Sequence, residues 1–240
     1  KPMHKLFFTS LAVIIIVLID NSLIVNKLYF KTLENPIVLG LFSIPITLLC
    51  FLILNNAFNM FDGINLQLSL YVLQLFIFLF FVNVYPELIV LIVFSLMTFI
   101  YLNYNDKTFL GESGSNLLTF IVAFLLIKTY NQEQDFFFDK NIDGIYVEQI
   151  FIILSLPGLD MIRLFFLRLK AGISPFKPDR NHIHHILTDR IGFLKSSLIT
   201  QGFTMTFLLL AFISNEYYLT IFLVIIAYSC LIFFFNKSKS

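Results

Sequence analysis

Long apolar runs dominate this sequence and constrain its fold more than any other feature. Runs of roughly 17–25 apolar residues are long enough to cross a lipid bilayer as α-helices. We identify eight such runs, with approximate limits 6–25, 37–55, 66–83, 86–102, 115–130, 147–169, 195–213 and 217–235. The fifth run is short and the sixth contains Pro157, Asp160 and Arg163, so these two depart most from the pattern.

The composition agrees with a chain that lipid surrounds on most sides. Hydrophobic residues make up 58% of the chain and charged residues only 13%, whereas soluble domains are near a quarter charged. We therefore predict an all-α polytopic membrane protein, a single domain over 1–240, with about eight transmembrane helices. The net charge of +1 indicates no nucleic-acid partner, because such partners require a concentrated basic face.

The basic residues predict how the chain is oriented in the membrane. When the N-terminus is placed in the cytoplasm, 12 of the 16 Lys and Arg residues fall in cytoplasmic segments. The positive-inside rule favours this arrangement, and with eight spans both termini are then cytoplasmic. The long outer loop, 131–146, agrees because its acidic residues outnumber its one basic residue, Lys140.

Three polar segments, 55–65, 103–116 and 170–194, carry most of the residues that can do chemistry. All three fall on the predicted cytoplasmic side. The topology therefore predicts a single composite site at that membrane surface.

The segment 55–65 carries oxygen-bearing side chains at helical spacing. If the second span continues as a helix, Asn56, Asn59 and Asp62 form one polar stripe at i, i+3 and i+6, and Gly63 ends the helix as a capping glycine does. Carboxylate and amide oxygens on one stripe suit a hard cation such as Mg²⁺. A polar helix end that meets lipid headgroups is the alternative.

The segment 103–116 joins a glycine-rich turn to the start of an apolar run. Gly111 and the serines after it leave free backbone N–H groups at a helix start, where the helix dipole favours a phosphate or diphosphate. Glu112 could supply an oxygen to a metal that bridges those phosphates. The alternative is a simple N-cap with an acidic first turn.

The segment 170–194 holds three of the four histidines, His182, His184 and His185, beside Arg180 and Lys177. In a helix His182 and His185 share a face, and in an extended segment His182 and His184 do. Two imidazoles and a guanidinium can converge on an anion or a phosphosugar, and histidine exchanges protons near neutral pH. A solvated basic loop and a zinc site remain alternatives, although no Cys or matched carboxylate spacing accompanies the histidines.

Asp160 is an ionisable residue inside an apolar run. A carboxylate there costs on the order of 2.5–3.5 kcal/mol at mid-span on insertion scales. Arg163 lies at i+3, so a local ion pair is one interpretation. Support of the histidine segment is the other.

These motifs resemble those of a known family. The strings NAFNMFDG at 56–63, FLGESGS at 109–115 and PDRNHIHH at 178–185 occur in this order in the polyprenyl-phosphate N-acetylhexosamine-1-phosphate transferases of glycosyltransferase family 4. The HIHH form is similar to the WecA/TagO-like branch rather than the branch that transfers phospho-MurNAc-pentapeptide. The resemblance runs from Lys1 essentially to the C-terminus.

The resemblance implies a reaction and a location. A UDP-sugar, commonly UDP-GlcNAc, gives its sugar-1-phosphate to undecaprenyl (polyprenyl) phosphate and UMP leaves, which is the initiating step of cell-surface glycan synthesis such as that of lipopolysaccharide. The family requires Mg²⁺, with Mn²⁺ as an alternative. The expected location is the bacterial cytoplasmic (inner) membrane, with the active site on its cytoplasmic face, and a homodimer is left open.

The resemblance also assigns roles by position. Catalytic roles go to Asp62, Glu112, His182, His184 and His185. Metal binding goes to Asn59, Asp62 and Glu112. Substrate binding goes to Asn56, Asn65, Lys107, Phe109 and Arg180, with Phe109 as the aromatic that stacks on uracil.

The chain departs from the family pattern at three places. Glu112 stands where the family usually has Asp, and Asn65-Leu66 replaces an Asp-Gly pair. The adjacent aspartate pair that normally precedes the first span seen here is absent, so we expect an N-terminally truncated chain, inactive alone, without the family's N-terminal helices. A catalytically dead remnant that binds lipid phosphate or UDP-sugar is therefore an alternative function, and a membrane transporter is a more distant one.

Glu112→Gln tests the predicted metal ligand. In the product of the complete gene, we expect turnover to fall at least about 10²-fold, the scale of losing one electrostatic stabiliser. UMP release is the measurement. Near-normal release in this variant would remove Glu112 from the site.

Overall fold

The computed structural model describes residues 2–82, 85–137, 145–174, 179–214 and 216–236. Its helices are Pro2–Ile19 (α1), Ser43–Phe61 (α2), Gln67–Phe81 (α3), Pro86–Tyr104 (α4), Gly111–Phe137 (α5), Val147–Ile153 (α6), Ser155–Lys170 (α7), Ile183–Ile191 (α8), Phe193–Ile213 (α9) and Tyr217–Asn236 (α10). Two short strands, Lys27–Leu28 (β1) and Ile37–Val38 (β2), pair antiparallel as a hairpin. The predicted helical fold class is confirmed. Lys140 and Lys177 lie outside the described residues.

Within the described ranges, five helices are long and apolar enough to cross a membrane. They are Gly40–Phe61, Pro86–Tyr104, Gly111–Asn131, Phe193–Leu210 and Tyr217–Phe235. The pair α6 and α7 raises the number to six if it forms one bent span, and two shorter apolar helices cover Phe7–Ile19 and Gln67–Phe81. A multi-pass membrane protein is therefore confirmed, but the predicted count of about eight spans is not.

The sixth predicted span is broken into α6 and α7, which meet at an angle of 78°. Pro157, just after the break, has no N–H to donate to the carbonyl of Ile153, and its ring disfavours a straight helix there. The Tyr71 hydroxyl donates to the Ile153 carbonyl instead, at 2.8 Å. A side chain from α3 thus satisfies the backbone group that the proline leaves open.

Helix α2 lies at the centre of the bundle and packs against α1, α5 and α7. Near its C-terminal end, Phe58 and Phe61 contact the fully buried ring of Tyr71 edge to face, with centroid distances of 5.6 and 5.4 Å. Edge-to-face aromatic pairs stabilise packing beyond the area they bury. The polar segment that follows α2 is therefore held on a well-packed support.

At the opposite end of the bundle, side chains hold the backbone of the segment that contains the hairpin. The backbone N–H of Val25 donates to Thr47 Oγ1 at 2.9 Å, and that of Tyr29 donates to the Tyr130 hydroxyl at 2.8 Å. The Thr47 hydroxyl in turn donates to the carbonyl of Ser43 at 2.8 Å. Buried backbone groups outside regular structure need such partners.

Thr47→Val should destabilise the fold, because it leaves the buried N–H of Val25 without its acceptor. We expect a loss of about 1–3 kcal/mol of unfolding free energy, the cost of one unsatisfied buried donor. Thermal unfolding in detergent measures it. Thr98→Val is the matched control, since Thr98 is exposed and bonds only to Phe94 in its own helix; equal effects of the two substitutions would contradict the interpretation.

Candidate active site

The three polar segments of the sequence meet at one end of the bundle. There α2, α4 and α7 end, and α3, α5 and α9 begin. Asn65 Nδ2, in the first segment, donates to Asp106 Oδ1 in the second at 2.7 Å. Gly63, also in the first, lies against His184 in the third.

His184 lies so close to the backbone at Gly63 that no residue with a side chain could stand at position 63 without moving it. A Cβ atom on Gly63 would lie 2.0 Å from His184 Nε2. Gly63 directly follows Asp62, the C-cap residue of α2, but it is not among the glycines with positive φ, so the prediction that it ends the helix as a capping glycine does is wrong. Glycine is needed here for space rather than for a left-handed backbone.

His184 is fully buried, and neither of its ring nitrogens has a hydrogen-bond partner among the described residues. Its ring lies edge to face against Phe61, with centroids 6.0 Å apart. Burial lowers the pKa of His184 to about 3, helped by the charges of His185 and His182. His184 is therefore neutral near pH 7, and it can offer hydrogen bonds to a bound group but no positive charge.

His182 occupies the N-cap position of α8 and is also buried. Its ring stacks on that of His184, with centroids 5.4 Å apart and an interplanar angle of 13°. Its Nδ1 lies 2.9 Å from Asp160 Oδ2, while Asp160 Oδ1 accepts from Arg163 at 2.8 Å. Both interpretations of Asp160 therefore hold, since it pairs with Arg163 and supports the histidine segment.

His185 and Arg180 form the more open side of the histidine segment. His185 is half-buried, and its ring centroid is 4.4 Å from that of His184. Burial lowers the pKa of His185, and the charges of Arg180 and His182 add to the effect. Arg180 forms a 3.3 Å ion pair with Asp189. Because Arg180 is exposed, its guanidinium group is also accessible to an anion.

Two of the predicted metal ligands present oxygens at the end of α2. Asn59 Nδ2 donates to the Asn55 carbonyl at 2.7 Å and to Asn116 Oδ1 at 3.0 Å, so Oδ1 is the polar atom of Asn59 that stays available. No described residue hydrogen-bonds to the Asp62 carboxylate, and burial raises the pKa of Asp62 to about 6. A desolvated carboxylate beside an amide oxygen fits a hard cation.

Glu112 and the histidines are the remaining residues that the sequence suggested as metal ligands. Glu112 lies exposed in the first turn of α5, which begins at Gly111 as predicted. In the described part of the chain, no group of three or more His, Cys, Asp or Glu side chains is arranged to hold a metal. The predicted set Asn59, Asp62 and Glu112 contains only two residues of these types, so this finding does not test it and the Mg²⁺ site stays a prediction.

A cavity of about 220 Å³ lies where the first two segments meet. Its lining includes Asp62, Gly63, Asn65, Asn103, Phe109 and Gly111. The Phe109 ring is 80% exposed at this cavity, as a stacking platform for a base requires. Lys107 is exposed in the same loop, whereas Asn56 is half-buried on α2 and makes no side-chain hydrogen bond within the described ranges.

Sequence reasoning missed two amides that assemble this site. Asn103 Oδ1 accepts from the backbone N–H of Leu66 at 2.7 Å, and its Nδ2 donates to the Thr108 carbonyl at 2.7 Å. Asn55, rather than Asn56, contacts Asn59. Each missed amide lies where an apolar run meets a polar segment, and that position was the available signal.

Gly63→Ala should displace His184, because the added methyl group would overlap its imidazole. We expect turnover of the reaction implied by the sequence to fall about 10²-fold, the scale of a 1 Å displacement in an active site. UMP release from membranes, normalised to the amount of folded protein, is the measurement. Gly202→Ala is the control, since nothing lies within 4 Å of a Cβ there; full activity in Gly63→Ala would show that the close contact is dispensable.

Comparison with known proteins gives a family. The sequence profile of glycosyl transferase family 4 matches residues 1–130. The undecaprenyl-phosphate alpha-N-acetylglucosaminyl 1-phosphate transferase of Yersinia pestis is 30% identical over 192 residues, which are 70% of this chain and 48% of the relative. The protein of the same name from Escherichia coli O157:H7 is 29% identical over 193 residues, 76% of this chain and 50% of the relative.

The chain thus spans about half the length of the curated relatives it matches. No solved structure matches it. The profile covers more than half of the chain and includes two of the three segments that build the site. This chain belongs to glycosyl transferase family 4.

Proposed function

We propose that the protein transfers a sugar-1-phosphate from a UDP-sugar to undecaprenyl phosphate at the cytoplasmic face of the bacterial inner membrane. The sugar we propose is an N-acetylhexosamine such as GlcNAc. An oxygen of the lipid phosphate forms a bond to the sugar-bound phosphorus, and the bond from that phosphorus to the UMP oxygen breaks. UMP leaves, and a lipid-linked sugar diphosphate remains.

The observation that carries this proposal is the convergence of three segments on one end of a membrane bundle. Gly63 contacts His184, and the cavity beside Gly63 is lined by both Asp62 and Phe109. An oxygen-rich group, a cavity with an exposed aromatic ring and a histidine cluster are thereby adjacent. Phosphoryl transfer depends mainly on positioning and charge neutralisation, so these are the parts it requires.

We place the uridine of the nucleotide at the 220 Å³ cavity because of its lining. Phe109 offers an exposed ring on which a uracil can stack. Asn65 replaces an acidic residue, but its amide donates to Asp106 Oδ1 at 2.7 Å. Asp106 therefore places a carboxylate next to Asn65, which is one of the residues that line the cavity.

The diphosphate would lie between the α2 terminus and the start of α5. Mg²⁺ held by Asn59, Asp62 and Glu112 would neutralise phosphate oxygens when bound. The N-terminus of α5 favours an anion through its helix dipole. Arg180, exposed beside the histidines, supplies the guanidinium charge that buried His184 lacks.

The prenyl chain needs an apolar path that ends near the diphosphate. A groove of about 260 Å³ follows α2 and α5 to the break between α6 and α7, with Leu54, Ala57, Ala123, Leu154 and Pro157 in its lining. Ala57 lies between one and two helical turns before Asp62. The groove is almost purely apolar, and it supports a lipid substrate whose phosphate reaches the site.

UMP release from UDP-GlcNAc and undecaprenyl phosphate tests the proposal. We expect magnesium-dependent release in membranes from cells that express the complete gene. Phe109→Ala should raise the KM for the UDP-sugar about tenfold, because base–aromatic stacking contributes about 1–3 kcal/mol.

Two control variants test whether the change in KM comes from loss of the aromatic ring at position 109. Phe109→Tyr should retain the wild-type KM, and Phe94→Ala, which removes an exposed ring from the apolar helix α4, should leave it unchanged. Absence of UMP release with a panel of UDP-sugars would favour the binding remnant. An unchanged KM in Phe109→Ala would place the uracil elsewhere.

A further inference from the structure

Asp160 is the centre of a buried polar network that joins three helices. It lies on α7, inside the bent pair, and is 2% exposed. Its Oδ1 accepts from Arg163 Nη2 at 2.8 Å, from the Tyr228 hydroxyl at 2.8 Å and from the backbone N–H of Ile183 at 3.2 Å. Its Oδ2 faces His182 Nδ1 at 2.9 Å.

The hydrogen-bonding capacity of each side chain determines which atoms donate and which accept in this network. Arginine can only donate, so the 2.7 Å contact between Arg163 Nε and the Tyr228 oxygen uses that oxygen as an acceptor. The single O–H of Tyr228 is then free to donate to Asp160. Three donors surround Asp160 Oδ1. Both oxygens of the ionised Asp160 carboxylate can only accept hydrogen bonds.

The tautomer of His182 follows from these roles. Because Oδ2 is an acceptor, the proton of a neutral His182 ring lies on Nδ1. Nε2 is then the ring atom that carries a lone pair. Arg163 Nη2 also donates to the Asn181 carbonyl at 2.5 Å, which fixes the residue that precedes His182.

His182 is close enough to the site for its tautomer to matter. Its ring stacks on that of His184, which lies against Gly63 next to Asp62. A carboxylate that bonds to one ring nitrogen sets what the other nitrogen can do, as in hydrolase triads.

We propose that Asp160 and Tyr228 are positioning residues that hold His182 with Nε2 as its hydrogen-bond and proton acceptor in the site. This inference rests on the proposed function for its consequence in catalysis, but not for the geometry. Tyr228 comes from α10, the last helix of the described chain, and it is outside every motif of the sequence. Its hydroxyl group links α10 to Asp160 and Arg163 on α7, and Asp160 in turn contacts His182.

Asp160→Asn is a sharp test because the side chain keeps its size while one of its two acceptor oxygens becomes a donor NH₂ group. The new amide has one acceptor and one donor. Its oxygen must face the three donors around Oδ1, so its NH₂ group faces His182 Nδ1. His182 then has to accept at Nδ1, and its proton moves to Nε2.

Nitrogen NMR of the complete protein with isotope-labelled histidine reads the tautomer directly, at a pH where the imidazoles are neutral. The chain has four histidines, and His182→Gln identifies the signal of interest. We expect protonated Nδ1 in the wild type and protonated Nε2 in Asp160→Asn. A wild-type His182 protonated at Nε2 would overturn the inference even if the variant failed to fold.

Kinetics test the consequence. We expect kcat to fall by about 10²–10⁴-fold in Asp160→Asn, the scale of a wrong histidine tautomer in a triad, with a smaller change in the KM for the UDP-sugar. A switched tautomer with unchanged kcat would overturn the positioning role. If the wild type releases no UMP, the proposed function fails, while the NMR result still decides the geometry.

Tyr228→Phe and Tyr218→Phe form a matched pair on α10. Tyr218 lies about 15 Å from Tyr228 along the helix, and its hydroxyl donates to Glu148 at 2.7 Å at the other end of the bundle. We expect a severalfold lower kcat in Tyr228→Phe and wild-type kcat in Tyr218→Phe. Equal effects would show that Tyr228 acts only through stability and would remove it from the proposal.

Discussion

The close approach of His184 to the backbone at Gly63 is the constraint on which the site depends. The contact is possible only because position 63 has no side chain, and it joins the end of α2 to the start of α8. Phe61 also contacts the imidazole, edge to face. A neutral ring in a tight pocket is a rigid spacer, so the distance between the acidic end of α2 and the histidine segment is set by packing rather than by charge.

Buried polar networks then arrange the segments around that contact. Asn59 and Asn116 join α2 to α5, and Asn103 holds the chain on both sides of the cavity. Polar groups within an apolar bundle are costly unless paired. The hydrogen bonds of Asn59 Nδ2 and of both polar atoms of Asn103 therefore fix the chain at the site. Asp62 differs because its carboxylate is partly desolvated without a partner among the described residues, and this kind of exception is expected where a ligand binds.

The sequence was most informative where the prediction rested on the length of apolar runs and on the order of the motifs. Apolar runs predicted a helical membrane protein, and the ordered motifs predicted the family, which the profile match confirms. It was least informative at Gly63, where a capping role was inferred from a local rule. The predicted count of about eight spans is not confirmed, because five described helices are long and apolar enough, a sixth candidate is bent near Pro157, and the apolar helices Phe7–Ile19 and Gln67–Phe81 are shorter. Asn55 and Asn103 were missed, since polar residues at the ends of apolar runs look alike until a partner is visible. Tyr228 was missed because it lies inside the last apolar run, where a tyrosine gives no local signal of a polar partner.

The sequence by itself determined that this chain lies in a membrane as helices, that it belongs to its family and which three segments carry chemistry. These properties follow from hydrophobic length and local motif, which do not depend on distant contacts. Only the tertiary structure decided that Gly63 makes room for His184, that Asp160 bonds both Arg163 and His182, and that Tyr228 completes this network. Those contacts join residues up to 121 positions apart in the sequence, and the packing of helices, not their composition, brings them together.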